Sequence, residues 1–548
     1  MNERGTGRYK TWTPLLFSAI LITGILIGFF LRDKLRYKRD FQTIVDRNDR
    51  LEEIIDLINE KYVDSVNINN IYTDAIGGIL KHLDPHTVYI PATDVQEVNE
   101  DLEGGFFGIG VEFTIVRDTI QVTSVIENGP SQIAGVQVGD RMIKVGDSLV
   151  AGNHINTERI ISLLRGKQHT HVSVTLEDAE DTEQREVSII RDIVPIFSVE
   201  ATFMADSLTG FIKINRFSAT TYDEFVKALK LLKTQGMQQL IIDLRENPGG
   251  YLDAATSIAD EFLDDNKLVV YTQGLHAVKT EYRASKDGLF EHGRIAVLVD
   301  ESSASAAEIF SGAIQDWDRG VILGRRTFGK GLVQEQYDLS DGAALRLTIA
   351  KYYTPSGRCI QRSFANGKEA YEQDYTNRFE TGELTGKDTT VLKDTMKYYT
   401  STHRMVYAGG GIKPDVYVPY DTMRLNTGFL NLIFNDEVKG ILWDYFIKNR
   451  KKLQAYKTVD SYAKGFNGTD EMINRYTAML KGAMHNEAVL LLNNPVNMQY
   501  FRNEMKAQLA RFIFHDNGYY ALSVKRDNVT QKALQVLYSN NYLKLIGR

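Results

Sequence analysis

The sequence predicts a multi-domain α/β protein, because the spacing of its apolar residues changes several times along 548 residues. Hydrophobic residues make up 43% and charged residues 25% of the chain, which is typical of globular proteins. A central stretch alternates strands with helices, the pattern of an α/β layer. The expected segments are an N-terminal tail and transmembrane anchor (1–31), a helical segment (32–94), a strand-rich domain (95–192), an α/β core (193–420) and a helical C-terminal extension (421–548).

The composition excludes several kinds of partner and site. A formal net charge of -7 and a pI near 5.9 argue against a nucleic-acid partner. Cys359 is the single cysteine, so the sequence has no internal disulfide and no cysteine-rich metal cluster, and we interpret it as a small buried residue. His82 and His86 are four residues apart, but Pro85 should end their helix, so we expect no metal site; no organic cofactor is implied either.

The first expected element is a transmembrane helix from Pro14 to Leu31, "PLLFSAILITGILIGFFL". This uncharged apolar stretch is about as long as a bilayer crossing requires. It runs into Arg32 without the small residues of a signal-peptide cleavage site, so we predict an uncleaved anchor. Basic residues lie on both sides and are more numerous after the span, which by itself favours a cytoplasmic location for the rest of the chain.

Helical spacing continues in "IVDRNDRLEEIIDLINEKYVD" and "IYTDAIGGILKHLDP", after which short alternating strands separated by glycines begin. The strands include "GIGVEFTI", "TIQVTSVI" and "HVSVTLED", and one helix, "NTERIISLLRG", interrupts them. This stretch resembles a PDZ domain whose carboxylate-binding loop is Gly108, Ile109, Gly110 and Val111. The resemblance implies that the loop binds the C-terminal carboxylate of a protein while the peptide adds as a strand beside "VEFTI".

The α/β core contains two strand-to-helix turns that suit an anion and a nucleophile. The turn "RENPGG" leaves N–H groups at a helix N-terminus free to face an anion. In "ESSASAAEIF" nothing larger than serine lies between Glu301 and Glu308, so other groups can approach Ser305 closely. Ser305 is expected on the first turn of a helix, where the helix dipole favours negative charge. Lys330 lies on a glycine-flanked turn in "RTFGKGLVQEQ", and because G-x-x-x-x-G-K-[ST] is absent we expect no ATP site.

These motifs together resemble the carboxyl-terminal processing peptidases, also called tail-specific proteases. The resemblance runs from about Tyr62 to Arg362 and includes "LDPHT", "GIGV", "LRENPGG", "TFGKG" and "YYTPSGRCIQ" in the family's order. It implies a serine endopeptidase in which Ser305 is the nucleophile, Lys330 the general base and Gln334 the third member of the site. It also implies a location outside the inner membrane of a bacterium, in the periplasm, which the charges around the anchor do not indicate.

The residue types suit this chemistry. A lysine at its ordinary pKa of about 10.4 is protonated at neutral pH, so burial must lower the pKa of Lys330 before it can accept the serine proton. Gln334 can hold the amine without the negative charge of a carboxylate, which would favour the ammonium form. The resemblance further implies that the oxyanion is bound by the backbone N–H groups of Gly250 and Ala306.

Two alternatives remain at this stage. A Ser-His-Asp site would use His276 or His292, which lie in the core but in no distinctive motif. A non-catalytic, membrane-anchored PDZ adaptor would be favoured by loss of the serine or the lysine, and both are present. Arg165, at the end of the PDZ helix, is a candidate for gating because a guanidinium can bridge domains; an exposed charge that caps the helix is the alternative.

The C-terminal extension contains amphipathic helical stretches such as "GFLNLIFNDEVKGILWDYFIKNRKKLQ". It suits either oligomerisation, which would give a homo-oligomer, or the shaping of substrate access, and the sequence does not choose between them. The complete prediction is a membrane-anchored serine endopeptidase that recognises protein C-termini through its PDZ domain and cleaves by a Ser-Lys mechanism.

Overall fold

The computed structural model describes residues 50–178, 183–386, 396–421, 427–480 and 482–548. The predicted anchor from Pro14 to Leu31 lies outside the described residues. Within the described ranges, no helix combines the length and the apolar character needed to cross a membrane. The chain forms two compact units, Met1–Leu83 and Asp84–Arg548.

The described part of the first unit consists of two helices. Residues 50–61 form α1, and α2 spans Ile68–Leu80. The side chain of Asn67 begins α2 by accepting hydrogen bonds from the N–H groups of Asn69 and Asn70, which would otherwise have no helical acceptor. Both helices coincide with stretches of helical spacing in the sequence.

The second unit opens with strand β1 (Val88–Ile90) and helix α3 (Ala92–Glu103). The strand-rich domain is predicted to begin near Val95, which lies inside α3. Asp94 is favourable at the N-terminus of this helix, and Gly104, with φ of 80°, ends it in the left-handed conformation. The strands therefore begin ten residues later than predicted, at Gly105.

A small antiparallel sheet forms the strand-rich domain and has the order β3-β4-β5-β7-β8, with β6 paired to β5. Its elements are β2 (Gly105–Gly108), β3 (Val111–Val116), β4 (Thr119–Val125), α4 (Pro130–Ile133), β5 (Arg141–Val145), β6 (Ser148–Leu149), α5 (Thr157–Leu164), β7 (His171–Glu177), β8 (Gln184–Ile190) and β9 (Asp192–Pro195). Ile160 and Leu164 of α5 pack into its apolar core. Strands β2 and β9 form a separate antiparallel pair.

The α/β core is built on a six-stranded sheet with the order β10-β11-β12-β15-β16-β21. The strands are β10 (Val199–Met204), β11 (Thr209–Ile214), β12 (Gln239–Asp243), β15 (Arg294–Val299), β16 (Val321–Gly324) and β21 (Val416–Tyr417). From β11 onward, neighbouring strands are parallel. Strands β11, β12 and β16 are buried along their whole length, as expected for a parallel sheet covered on both faces.

Helices cover both faces of this sheet. On one face α6 (Thr221–Thr234), α7 (Leu252–Asp260) and α8 (Ala306–Asp316) contribute buried side chains to the main core. On the other face α17 (Asn528–Tyr538) and α18 (Tyr542–Leu545) do the same. Both helices lie within the predicted C-terminal extension (421–548), but in the structure they pack on the sheet of the α/β core.

A second sheet of the core carries the lysine-containing turn. It consists of β1, β13 (Leu268–Gln273), β14 (Thr280–Arg283), β17 (Leu332–Asp338) and β18 (Ala344–Tyr353). Because β1 pairs with β18, residues 88–90 belong to the core, although the sequence analysis places them in the helical segment. The chain then forms α9 (Lys368–Glu372), α10 (Asp374–Glu380) and the hairpin of β19 (Lys397–Tyr399) and β20 (Met405–Tyr407).

The remaining helices form a helical body with its own apolar core, which includes Trp443 and Phe501. They are α11 (Thr427–Ile433), α12 (Asp436–Leu453), α13 (Val459–Gly465), α14 (Thr469–Met479), α15 (Gly482–Leu492) and α16 (Pro495–Ser523). The helical body contacts the strand-rich domain, since Val116 of β3 joins its core and Trp443 Nε1 donates to Gln121 Oε1 at 3.1 Å. It also contacts the α/β core through Asn517 Oδ1, which accepts from the Thr202 N–H.

Candidate active site

Ser305 lies between β15 and α8, at the N-terminus of the helix. Its backbone has φ of 53° and ψ of −114°, a conformation that costs energy for a residue with a side chain. Such strain persists only where the surrounding structure enforces it, and it is common at functional sites. The flanking Ala304, Ala306 and Ala307 are buried, whereas Ser305 is half-buried. The serine is therefore a rigidly held and accessible side chain.

The glycine turn after β12 approaches this serine closely. A Cβ atom on Gly249 would lie 2.7 Å from Ser305 Cβ and 2.9 Å from the nitrogen of Ala306, and one on Gly250 would lie 2.0 Å from Phe217 O. Only glycine fits at either position. In the described part of the chain, neither the Gly250 N–H nor the Ala306 N–H donates to another group. The two predicted oxyanion donors are thus unpaired in these residues, one on the glycine turn that lies against Ser305 and one on the residue that follows Ser305.

Hydrogen bonds join the glycine turn to the serine turn. The Asn247 carbonyl accepts from the Ala304 N–H at 3.0 Å, while within the glycine turn Asn247 Oδ1 accepts from the Gly249 N–H at 2.8 Å. On the opposite side, Asp300 Oδ1 accepts from the Glu246 N–H at 3.0 Å. The two turns consequently form one unit in which a shift of one moves the other.

Lys330 and Gln334 are in direct contact, since Lys330 Nζ donates to Gln334 Oε1 at 2.9 Å. Gln334 Nε2 in turn donates to the carbonyl of His86. Burial lowers the pKa of Lys330, and the charge of Arg346 adds to the effect. This is the direction that a general base requires. Within the described chain, Lys330 Nζ makes no hydrogen bond with Ser305 Oγ.

The buried carboxylate of Glu308 connects the serine turn to the lysine turn. One oxygen, Oε2, accepts from the N–H groups of Ser305 at 3.0 Å and Lys330 at 2.8 Å. The other, Oε1, accepts from the Gly329 N–H at 2.8 Å and from the Thr327 hydroxyl. Burial raises the pKa of Glu308 to about 7, although these four donors oppose the rise. One side chain therefore fixes the positions of Ser305 and Lys330, the predicted nucleophile and the predicted base.

Three residues of this site have no assigned role in the sequence analysis. Glu308 could have been found, because Ser305 and Glu308 have the S-x-x-E spacing of a capping box, which α8 contains. His86 belongs to the quoted motif "LDPHT", but only its backbone carbonyl contacts Gln334. The Tyr352 hydroxyl lies within hydrogen-bonding distance of the Ser305 and Lys330 carbonyls, and no local sequence pattern indicates it.

The two histidines of the alternative triad belong to the α/β domain, and both are exposed to solvent. His276 lies between β13 and β14, and His292 precedes β15. Neither makes a hydrogen bond with Ser305 or Lys330 in the described residues. Over the same residues, no group of three or more histidine, cysteine, aspartate or glutamate side chains is arranged to hold a metal ion. Cys359 is partly rather than fully buried.

The predicted carboxylate-binding loop lies at the start of β3 in the strand-rich domain. Ile109 is buried in the core of this domain and Gly110 has a positive φ of 74°. The N–H groups of Ile109 and Gly110 donate to no acceptor in the described residues. Strand β3, which Val111 begins, ends the sheet order, so its outer edge has no partner among the described strands. A loop with free donors thus adjoins an open strand edge.

Arg165 lies at the C-terminus of α5 and contacts α3. Its Nη1 donates to Glu100 Oε2 at 2.9 Å, and its guanidinium lies 4.4 Å from the ring centre of Phe106. Glu100 is buried. Arg165 therefore joins the helix of the strand-rich domain to the helix that precedes this domain in the chain.

Comparison with protein families identifies three matching regions. Residues 208–368 match the model of peptidase family S41, and residues 121–178 match the model of the PDZ domain. Residues 430–516, which lie in the helical body, match a family of unknown function.

Comparison with individual proteins finds relatives of similar description. A probable CtpA-like serine protease of Staphylococcus aureus is 33% identical over 362 residues, which are 64% of this chain and 71% of that protein. One of Staphylococcus saprophyticus is 34% identical over 58% of this chain and 63% of its own length. The chain thus spans 63% to 71% of the length of these two curated relatives. The solved photosystem II D1 C-terminal processing protease is 28% identical, with a TM-score of 0.34 over 57% of this chain and 83% of that one.

Proposed function

The chain belongs to the CtpA-like serine proteases of peptidase family S41, and from this premise we propose that it is a serine endopeptidase that cleaves proteins near their C-termini. Family membership confirms the resemblance found in the sequence. The observation that carries the proposal is the arrangement around Ser305, where the strained serine lies between two N–H groups that are unpaired in the described residues, that of Gly250 on the glycine turn and that of Ala306 at the start of α8. The Ser305 backbone is joined through Glu308 to the turn of a buried lysine with a lowered pKa.

In the proposed reaction, Lys330 in its neutral form takes the proton of Ser305 as Oγ attacks the peptide carbonyl. The N–H groups of Gly250 and Ala306 stabilise the oxyanion, and one such donor is typically worth about 3 kcal/mol. Lys330 then donates the proton to the leaving amine, and water hydrolyses the acyl-enzyme. Because Nζ is bound to Gln334 in the structure, this sequence requires Nζ to approach Oγ when substrate binds.

Substrate recognition is proposed to occur at the PDZ domain. The free N–H groups of Ile109 and Gly110 suit a terminal carboxylate, and the open edge of β3 suits an added peptide strand. The proposed ligand is therefore the C-terminus of a protein.

The proposal is tested by hydrolysis of an unstructured protein that ends in apolar residues. We expect the purified chain and its His276→Ala and His292→Ala variants to cleave it, and Ser305→Ala to bind it without cleavage. Mass spectrometry of the products and of the trapped protein gives the cleavage sites and the C-terminal residues. Binding without cleavage by the unmodified chain would instead support a non-catalytic PDZ adaptor.

We also propose that peptide binding at the PDZ domain activates the catalytic site. A ligand shifts a closed state to an open one only if it binds the open state more tightly. A peptide with a free apolar C-terminus should raise the rate on a separate short reporter by about five-fold or more. Amidation of the peptide should abolish the rise, and Arg165→Ala should change its size because the contact with Glu100 is lost.

Arg159→Ala is the matched control for this experiment, since Arg159 is an exposed residue of the same helix. Equal activation by free and amidated peptides would mean that the PDZ domain acts only as a tether or spacer.

Residues Pro14 to Leu31 are proposed to anchor the enzyme in a bacterial inner membrane, with the catalytic part in the periplasm. The support is the length and uncharged character of this stretch. Intact mass should show the N-terminal segment on the mature protein, and the protein should resist alkaline extraction from membranes. Externally added protease should degrade it in spheroplasts. A mature N-terminus near Arg32, or protection in spheroplasts, would contradict the anchor or the orientation respectively.

A further inference from the structure

We infer that Tyr371 and His86 are positioning residues of the active site, which fix the carboxamide of Gln334 in the orientation that presents Oε1 to Lys330. The inference rests on the proposed function, because it assigns how the base of that reaction is held. Neither residue contacts Ser305 in the described chain, so both would act through Gln334.

The orientation of the Gln334 carboxamide decides whether its oxygen or its nitrogen faces Lys330 Nζ. Its oxygen accepts from Lys330 Nζ at 2.9 Å, and its nitrogen donates to the His86 carbonyl. If the carboxamide turned over, two carbonyl oxygens would face each other and two donors would face each other. The His86 carbonyl therefore selects the orientation in which Gln334 is an acceptor for the lysine.

The position of His86 is fixed at both its backbone and its side chain. Asp84 Oδ1 accepts from the His86 N–H at 2.9 Å, and His86 Nε2 lies 2.8 Å from the Tyr371 hydroxyl. The rings of Phe328 and Tyr371 meet the imidazole edge-on at 6.1 Å and 5.4 Å between centres. Tyr371 supplies both the hydrogen-bond partner and one of the two ring contacts.

The charge state of His86 is consistent with this arrangement. Burial, together with the charges of Lys330 and Arg362, lowers the pKa of His86 to about 4, so the ring is neutral at physiological pH. A neutral imidazole can accept at Nε2 from the Tyr371 hydroxyl. The charged groups that influence Lys330 are Asp84, Glu308 and Arg346.

Tyr371 also reaches the other side of the lysine turn. Gln361 Nε2 donates to the Tyr371 hydroxyl at 3.4 Å, and Gln361 Oε1 accepts from the Gly331 N–H at 2.8 Å. The Arg362 guanidinium lies 3.8 Å from the centre of the Tyr371 ring. Tyr371 of α9 is thus linked to two residues next to Lys330. It is linked to Gln334 through His86 and to Gly331 through Gln361.

The test compares Tyr371→Phe and His86→Phe with the unmodified enzyme. Tyr371→Phe keeps the ring and removes the hydroxyl, so we expect kcat to fall roughly 10-fold through misplacement of the base, with KM changed less than about two-fold. The rise of kcat with pH should move to lower pH, because a displaced Gln334 no longer stabilises the ammonium form of Lys330. His86→Phe should have the same effects.

The Gln334→Ala variant shows whether Tyr371 acts through Gln334. If Tyr371 acts through Gln334, adding Tyr371→Phe to Gln334→Ala should change neither kcat nor the pH profile further. The matched control is Tyr375→Phe, on the neighbouring helix α10, which should behave like the unmodified enzyme. A full effect of Tyr371→Phe in the Gln334→Ala background, or no effect in the unmodified one, would overturn the inference.

A second measurement separates this inference from the proposed function. Competitive acetylation of lysines with acetic anhydride, followed by mass spectrometry, gives the pKa of Lys330 without any peptide hydrolysis. A lower pKa of Lys330 in Tyr371→Phe but not in Tyr375→Phe would support the inference even if the chain cleaved nothing. An unchanged pKa would overturn it even if the chain were an active peptidase.

Discussion

Replacing Ser305 or Lys330 with alanine should lower kcat by roughly 10⁴-fold or more, and replacing both should lower it no further. The two residues act on one proton, so the loss of either removes the same step. Lys330→Arg should fail as well, because a guanidinium stays protonated at any working pH and cannot act as a base. The measurement is the single-turnover rate on one peptide substrate for the four variants.

Ser302→Ala is the matched control for this series. Ser302 is exposed and only three residues from Ser305 in the same turn. It should retain normal activity and a normal unfolding temperature. Substantial turnover by Ser305→Ala, or losses that multiply in the double variant, would exclude the Ser-Lys mechanism.

Glu308→Gln should lower both the stability and the activity of the protein, although it replaces only a carboxylate oxygen with an amide nitrogen. Each oxygen of Glu308 accepts two hydrogen bonds, and the amide nitrogen of glutamine can accept none. Whichever way the amide is turned, at least one buried backbone N–H group would lose its acceptor, which costs about 1–3 kcal/mol. In either orientation the amide nitrogen would face an N–H group of the lysine turn, Gly329 or Lys330, so this turn should shift and kcat should also fall by roughly 100-fold. Calorimetry and kinetics on the purified variant measure both effects.

The same carboxyl makes stability depend on pH. Burial raises the pKa of Glu308 in the folded state to about 7, from the ordinary glutamate value of 4.5. The folded state therefore binds the proton more tightly, and the stability that this gives is complete below about pH 4.5 and is lost as the pH rises to about 7. The difference in unfolding temperature between the unmodified enzyme and Glu308→Gln should vary across this window and be constant above it.

Glu335→Gln controls for the change of charge, since Glu335 lies exposed on β17 close to the site. Its unfolding temperature and kcat should match those of the unmodified enzyme. If Glu308→Gln behaved in the same way, Glu308 would not be the connection between the two turns.

Much of the fold could be predicted because its elements carry local patterns. The buried strand before "ESSASAAEIF" and the glycine turn after β12 are continuous in sequence, so their roles could be inferred before their contacts were known. The predicted α/β architecture with a PDZ domain, an S41 domain and C-terminal helices is confirmed. The roles of Ser305, Lys330 and Gln334 stay predictions until they are tested by substitution.

The contacts that complete the site join residues that are far apart in the sequence. His86 lies 248 positions before Gln334, and Tyr371 lies 285 positions after His86. The periodicity and spacing of residues in the sequence do not predict contacts between residues so far apart. The pairing of β1 with β18 is not predictable for the same reason, because three residues that follow a helical stretch show no strand pattern of their own.

The helical body is an insertion rather than a terminal addition. Strand β21, which precedes it, pairs with β16, and α17, which follows it, packs on the same sheet. Removing everything after β21 would therefore uncover one face of the sheet, including Leu298 and Leu323. For genetic dissection of this enzyme, the informative deletion is internal: it excises the helices between these two points and rejoins them with a short linker, so that the peptidase retains both of its covering layers.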